Sequence, residues 1–242
     1  LGAGLLHGDV QTIFGTGLQG YAQIPRLDDT GTLHWTPVDK HSGNRGVLRG
    51  VDEPFRADGG LRMLDGNLGR AVIKVSSVPE DRLVIEAPAI VFHDQDEVAG
   101  AYQRGELNRD FVAVVRFQGP QANGMPELHK LTPTLALLQD RGHRIALLTD
   151  GRMSGASGRV PAAIHVTPEA VAGGNIAKIR DGDLIRLDAM NGRLDVLMEA
   201  HELDARLPQH ADLSAQHSGM GRELFGLFRQ AAASAAASAA IL

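Results

Sequence analysis

The 242-residue sequence contains no cysteine. That removes disulfides, zinc-thiolate sites and iron-sulfur ligation from within the chain. Aromatic residues are scarce, at 4% with one Trp and two Tyr, and Lys and Arg are scattered rather than clustered. The basic, aromatic-interleaved surface that marks nucleic-acid binding is therefore lacking, and no nucleic-acid partner is expected. No apolar run approaches the roughly 20 residues of a membrane span, and no charged segment precedes a signal-type apolar core. No membrane partner is expected, and the chain reads as cytoplasmic. With a formal net charge of -5, an anionic substrate would have to be met by local basic residues.

What is present points to a folded protein. A hydrophobic content of 43% supports one large domain or two small ones. The chain starts abruptly, on Leu, as a fragment would, and "DVQTIFG" from Asp9 predicts a short helix with Asp9 as N-cap. From about Gln23 to Asp58, Asp, Gly, Pro and charged residues with weak periodicity predict a linker. From Gly60 the texture changes. "LRML", "AVIKVSSV", "LVIEAPAIVF" and "FVAVVRF" are β-branched runs bounded by Gly, Asp or Pro, with a helical stretch at Gln95 to Glu106.

Pro126 to Asp140 carries Leu at 128, 131, 135 and 138, which predicts an amphipathic helix with Pro133 as a candidate kink. Strands at Arg144 to Leu148 and "AAIHV" follow, and Thr167-Pro168 has the form of an N-cap and first helical residue. "DGDLIRLDAMNGRLDVLM" predicts a hairpin around Asn191-Gly192. The alternation is that of an α/β fold with an added antiparallel element. A helix begun at Gly221 is expected to fray in the low-complexity "AAASAAASAAIL". The organisation expected is 1–59 as linker and the end of an absent amino-terminal domain, 60–230 as the folded domain, and 231–242 as a tail.

The loop "TDGRMSGASG", Thr149 to Gly158, directly follows an apolar strand, and its small residues invite close approach of backbone to a ligand. Spacing rules out three familiar motifs. It is not a P-loop, because Gly151 is followed five positions later by Ala156. It is not a nucleophile elbow, because Arg152 lies two before Ser154 and Gly158 immediately follows Ser157. The Ser-x-x-Lys of penicillin-recognising enzymes is missing too, since Ser157 stands three after Ser154. What survives is a Gly-rich turn at the carboxyl end of a strand, where open α/β sheets place ligands; the alternative is a turn whose glycines only permit positive φ.

Longer stretches carry a resemblance. "GNLGRAVIK", "EAPAIVF", "QGPQANGMPELHKL", "LLTDGRMSGASGRVPAAIHVTPEA" and "RDGDLIRL" resemble the carboxyl-terminal half of the dehydratase family that includes dihydroxy-acid dehydratase and 6-phosphogluconate dehydratase. "SGASG" with "PAAIHVTPEA", and "GRELF" at 221–225, look like its 6-phosphogluconate branch. The resemblance implies a swivelling β/β/α domain with mixed parallel and antiparallel sheets, preceded by a linker. It implies dehydration of a sugar-acid phosphate, 6-phosphogluconate, to a 2-keto-3-deoxy acid, with a dihydroxy-acid or other sugar-acid dehydratase as the alternative. A non-catalytic binding module of the same fold is a further alternative. It also implies an iron-sulfur cluster of the 4Fe-4S type with ligands outside this chain, magnesium, an amino-terminal cluster domain as partner, and a homodimer.

By that resemblance Ser154 matches the serine proposed to take the C2 proton as an alkoxide. Holding an alkoxide at neutral pH costs on the order of 8 kcal/mol, which only nearby cations and amide dipoles offset. Some sugar-acid relatives have Thr where this chain has Ala156, so a relay through that hydroxyl is not carried over. Glu127 matches a magnesium ligand, and a hard oxygen donor suits that ion; read without the resemblance, it is an acid in the first turn of a helix. Asp150, Arg152 and Lys130 are candidate substrate contacts, and Lys74, His129 and Arg159 weaker ones. His93 and His165 lie on apolar strands and read as core histidines, and Asp181-Gly-Asp183 reads as a turn before a strand.

Overall fold

The computed structural model describes residues 1–154 and 159–240; Gly155, Ala156, Ser157 and Gly158 lie outside the described residues. The chain divides into two units, Leu1–Ala57 and Asp58–Leu242. The first carries two hairpins, β1 (Gln11–Thr12) with β2 (Gly15–Thr16), and β3 (Gln23–Leu27) with β4 (Leu33–Pro37). The helix expected after Asp9 is thus a tight hairpin. Gly15 takes φ 99°, and the Thr12 hydroxyl accepts the Phe14 N–H at 3.1 Å, so turn chemistry overrides the apparent cap. The stretch expected to be a linker likewise contains β3 and β4, joined by a turn in which the Asp28 carboxylate accepts the Thr30 and Thr32 N–H groups, each at 2.9 Å.

In the second unit eight strands close into a barrel: β5 (Leu61–Gly66), β6 (Gly69–Lys74), β7 (Val84–Phe92), β8 (Phe111–Val115), β9 (Ile145–Thr149), β10 (Ala162–Thr167), β11 (Leu184–Asp188) and β12 (Arg193–Val196). Their order is β10-β6-β5-β12-β11-β7-β8-β9. β7, β8, β9 and β10 run parallel, while β6 pairs antiparallel with β5 and β10, and β11 with β7 and β12. The expected mixture of parallel and antiparallel pairing within an α/β fold is present. Helices α1 (Gln95–Gln103), α2 (Pro120–Asn123) and α3 (Leu131–Asp140) fill the crossovers that parallel strands require.

The side-chain alternation of β8 and β9 explains their unbroken apolar runs. Val112, Val114, Ala146 and Leu148 join a core to which all eight barrel strands contribute. Phe111, Ala113, Val115, Ile145 and Leu147 face the other way, against Val98 of α1 and Leu135 and Leu138 of α3. Both faces of these strands are buried, so neither face carries the polar residues of a half-exposed strand.

Three boundaries differ from expectation. The helix expected from Pro126 starts at Leu131, because Glu127 forms a parallel β-bridge with Arg152 and the Leu128 N–H donates to the Arg152 carbonyl at 3.2 Å. Pro133 falls in the first turn of α3, where no intrahelical N–H donor is needed. Thr167 ends β10 rather than capping a helix, and a 3-10 turn begins only at Ala170. Near the carboxyl end come α4 (Ala200–Ala205), α5 (Ser214–His217) and α6 (Gly226–Ala231). The tail does not fray at once: Ala232 is buried and its carbonyl accepts Gln121 Nε2 at 2.9 Å. Among the described residues no helix is long and apolar enough to cross a membrane.

Candidate functional site

The parallel strands deliver their following segments to one end of the barrel. After β9, Asp150 is fully buried. Its carboxylate accepts the N–H groups of Gln118 at 2.9 Å, Ala170 at 2.9 Å and Phe117 at 3.2 Å. One side chain thereby fastens the segments that follow β8, β9 and β10. Burial pushes the Asp150 carboxyl up to about 6, against the pull of these donors, and the neighbouring Glu169 carboxylate adds to the rise. Of the substrate contacts read from sequence, Asp150 is placed inside the protein as this fastener.

Glu169 repeats the device. It accepts the Gln121 and Ala122 N–H groups, both at 3.0 Å, and so satisfies the start of α2. Gly119 gives it room: a Cβ there would stand 2.6 Å from the Glu169 carboxyl carbon.

Glu127, Arg152 and Ser154 are brought together. The Ser154 N–H donates to Glu127 Oε1 at 2.7 Å. The other carboxylate oxygen lies 3.4 Å from the Arg152 guanidinium, with the side chains 26% and 52% exposed respectively. Arg152 also donates through Nε to the Met125 carbonyl at 2.8 Å. The backbone around this group is strained, since Phe117, Met125 and His165 have φ of 64°, 53° and 58°. Such left-handed conformations cost roughly 1–3 kcal/mol each for non-glycine residues. Each is held by a bond to the loop: Phe117 to Asp150, Met125 to Arg152, and the His165 N–H to the Gly151 carbonyl at 2.9 Å.

The remaining residues read from sequence are spread more widely. Lys130 and His129 are exposed just before α3, and Arg159 pairs with Asp140 at 2.5 Å. Lys74 is half-buried on β6. Asp181 accepts the Val91 N–H, and Asp183 pairs with Arg206, so that triplet forms a turn before β11 as expected. Burial and the nearby Arg152 lower the half-buried His165 imidazole below its usual range.

Sequence reasoning passed over Arg116 and Gln118. Arg116 is buried and donates to the carbonyls of Ile179 at 3.0 Å, Ala177 at 3.1 Å and Ile176 at 3.4 Å, and to His93 Nε2 at 3.1 Å. His93 is thus a satisfied acceptor, kept neutral by burial and by the adjacent guanidinium. Gln118 donates to the His93 carbonyl at 2.6 Å. The only available signal was their place directly after an apolar strand.

Glu127 is half-buried, carries a hard oxygen donor and keeps lone pairs on the oxygen facing Arg152, so it fits as one magnesium ligand. That ion commonly takes one or two carboxylates together with substrate oxygens and water. Among the described residues no three His, Asp or Glu side chains converge into a complete metal site. With no thiolate in the chain, these residues do not fit a cysteine-held cluster.

Residues 46–239 match the family described as dihydroxy-acid/6-phosphogluconate dehydratase C-terminal. Over 239 residues the chain is 56% identical to a phosphogluconate dehydratase of Rhizobium meliloti, covering 99% of this chain and 39% of that protein. A phosphogluconate dehydratase of Escherichia coli K12 is 54% identical over 95% of this chain and 38% of its own length. A dihydroxy-acid dehydratase of Methanothermobacter thermautotrophicus is 41% identical over 68% of this chain and 30% of its own length. The chain therefore spans about two fifths of the phosphogluconate dehydratases it matches.

Proposed function

The chain belongs to the dihydroxy-acid/6-phosphogluconate dehydratase family as its carboxyl-terminal domain, and from that premise we propose that it supplies the base and a magnesium ligand for dehydrating 6-phosphogluconate. The observation that carries the reading is the bond from the Ser154 N–H to Glu127 Oε1, with Arg152 beside it. It fixes a serine and a hard oxygen donor side by side at the end of a parallel strand, where α/β folds place their ligands.

In this reading Ser154 Oγ takes the proton from C2 of the substrate. The C2–H electron pair forms a double bond to C3 as the C3–O bond breaks, and the resulting enol becomes the 2-keto-3-deoxy acid. Glu127 would hold magnesium, which when bound would supply positive charge beside the substrate carboxylate. Arg152 adds a second positive group near Ser154, which favours the ionised hydroxyl. The proton for the departing hydroxyl is assigned outside this domain, as are the ligands of an iron-sulfur cluster. Asp150 and Arg116 position the site by fixing the segments that carry it. The 54–56% identity to phosphogluconate dehydratases, against 41% to a dihydroxy-acid dehydratase, favours the phosphorylated sugar acid.

The test is formation of a 2-keto acid from 6-phosphogluconate by the protein carrying this domain together with its amino-terminal part. Equal or better turnover of a branched-chain dihydroxy acid would overturn the substrate assignment. Failure to act on either acid, with cofactors confirmed, would leave a binding module.

A further inference from the structure

A cleft of about 590 Å³ lies beside this site, between the start of α1, the segment around α2 and the carboxyl-terminal helices α5 and α6. Three cations, Lys130, Arg222 and Arg229, line it from two regions of the chain. Among the described residues none of the three forms an ion pair with a carboxylate. Arg222 donates to the Gln216 carbonyl at 3.5 Å and Arg229 to the Arg222 carbonyl at 3.1 Å. Each guanidinium has five N–H donors, so both keep donors for a ligand. Asp94 and Asp96 also line the cleft, and the Asp94 carboxylate accepts the Asp96 N–H as the cap of α1.

The amide oxygens of Gln95 and Gln216, two further lining residues, are buried without a donor. The orientation of Gln95 is set by its Nε2, which donates to the Glu127 carbonyl at 3.5 Å. Buried acceptors normally have partners, and leaving one unmet costs about 1–3 kcal/mol. Three cations face two carboxylates in this lining, Asp94 being engaged at the α1 cap, and Arg229 also draws on the Glu223 carboxylate; an excess of positive charge beside acceptors without donors matches a molecule with an anionic end and several hydroxyls. Met125 and Pro126 form part of its wall, so it runs up to Glu127 and, through it, to Ser154.

We propose that this cleft receives the phosphate end of a polyol phosphate, with Arg222, Arg229 and Lys130 on the phosphate and the Gln95 and Gln216 amide oxygens accepting from hydroxyls. The assignment rests on the functional reading above, which places the reacting carbons at Ser154. It gives the carboxyl-terminal helices a role in choosing the phosphorylated acid over its unphosphorylated counterpart.

The experiment uses the full-length enzyme, wild type, Lys130→Gln and the Arg222→Gln/Arg229→Gln pair. Initial rates are measured with 6-phosphogluconate and gluconate, and inorganic phosphate binding by calorimetry. Charge-assisted contacts to a phosphate predict that the double variant loses at least about ten-fold in preference for the phosphorylated acid and binds inorganic phosphate at least about ten-fold more weakly. Lys130→Gln, altered at an exposed side chain, shifts both in the same direction by about three-fold or more. An equal loss on both acids, or unaltered phosphate binding in the double variant, overturns the proposal. If wild type fails to dehydrate 6-phosphogluconate yet binds phosphate through these arginines, the functional reading falls and the cleft assignment stands. Turnover of 6-phosphogluconate with preference unchanged in all variants has the opposite meaning.

Discussion

Glu127 accepts the backbone N–H of Ser154 at 2.7 Å across 27 residues of chain, so the candidate base is held by the candidate metal ligand. Substitution at one of these positions should therefore be read for its effect on the other. Only the side chain of Glu127, and only the backbone of Ser154, enters that bond.

Glu127→Gln in the full-length enzyme keeps an acceptor for the Ser154 N–H and removes the charge. Magnesium affinity should fall by ten-fold or more, while the thermal midpoint moves little. Calorimetric titration with magnesium checks this. Unaltered affinity would confine Glu127 to holding the loop.

Ser154→Ala leaves the N–H donated to Glu127 in place and deletes only the hydroxyl. Turnover should fall by roughly 10² to 10⁴, the range of a lost general base, with substrate binding largely kept. Exchange of the C2 proton with deuterated solvent should fall in parallel. Normal exchange in this variant would remove Ser154 from the mechanism.

Asp150→Asn should destabilise the domain by about 1–3 kcal/mol near neutral pH, because an amide accepts through one oxygen only and sets its own N–H₂ against buried donors. The pH dependence has a defined sign. A carboxyl raised to about 6 in the fold binds its proton more tightly there than in the unfolded chain. Its contribution is fully present below about pH 4 and is lost as pH rises through about 6, on the order of 3 kcal/mol in total. Urea unfolding between pH 4 and 7 should show this slope in wild type and a flatter one in the variant. Identical slopes would refute the assignment.

Gly151→Ala should cost about 1–3 kcal/mol by overpacking. The new Cβ would stand 2.7 Å from Gln118 Cβ and 3.1 Å from the Gln118 carbonyl oxygen, neither of which is the far end of a flexible side chain. Chemical denaturation measures the loss, and a neutral result would show that the segments after β8 and β9 can part without consequence.

Much of this protein was legible in the sequence. All eight barrel strands, β11 and β12 as a hairpin, and α1 follow from apolar runs, alternation and turn residues, because burial imposes a period on the chain wherever one face or both are covered. The absence of cysteine excluded thiolate-held clusters from within the chain, and the loop after β9 stood out by its small residues. The end of β10 at Thr167 was not visible, because Thr167-Pro168 has the form of a helix start. What only the tertiary structure decided concerns partners far apart in the chain. Closure of the sheet into a barrel depends on β10 meeting β6 and β12 meeting β5, pairings that leave no local mark. Pro126 to Lys130 has helical periodicity, yet the bridge to Arg152 holds Glu127 out of the helix. Asp150 read as a candidate substrate contact beside a glycine, and only the arrival of Phe117, Gln118 and Ala170 made it a buried anchor. A sequence displays the periods that burial imposes, but a polar side chain takes its role from donors and acceptors that the fold alone brings within 3 Å.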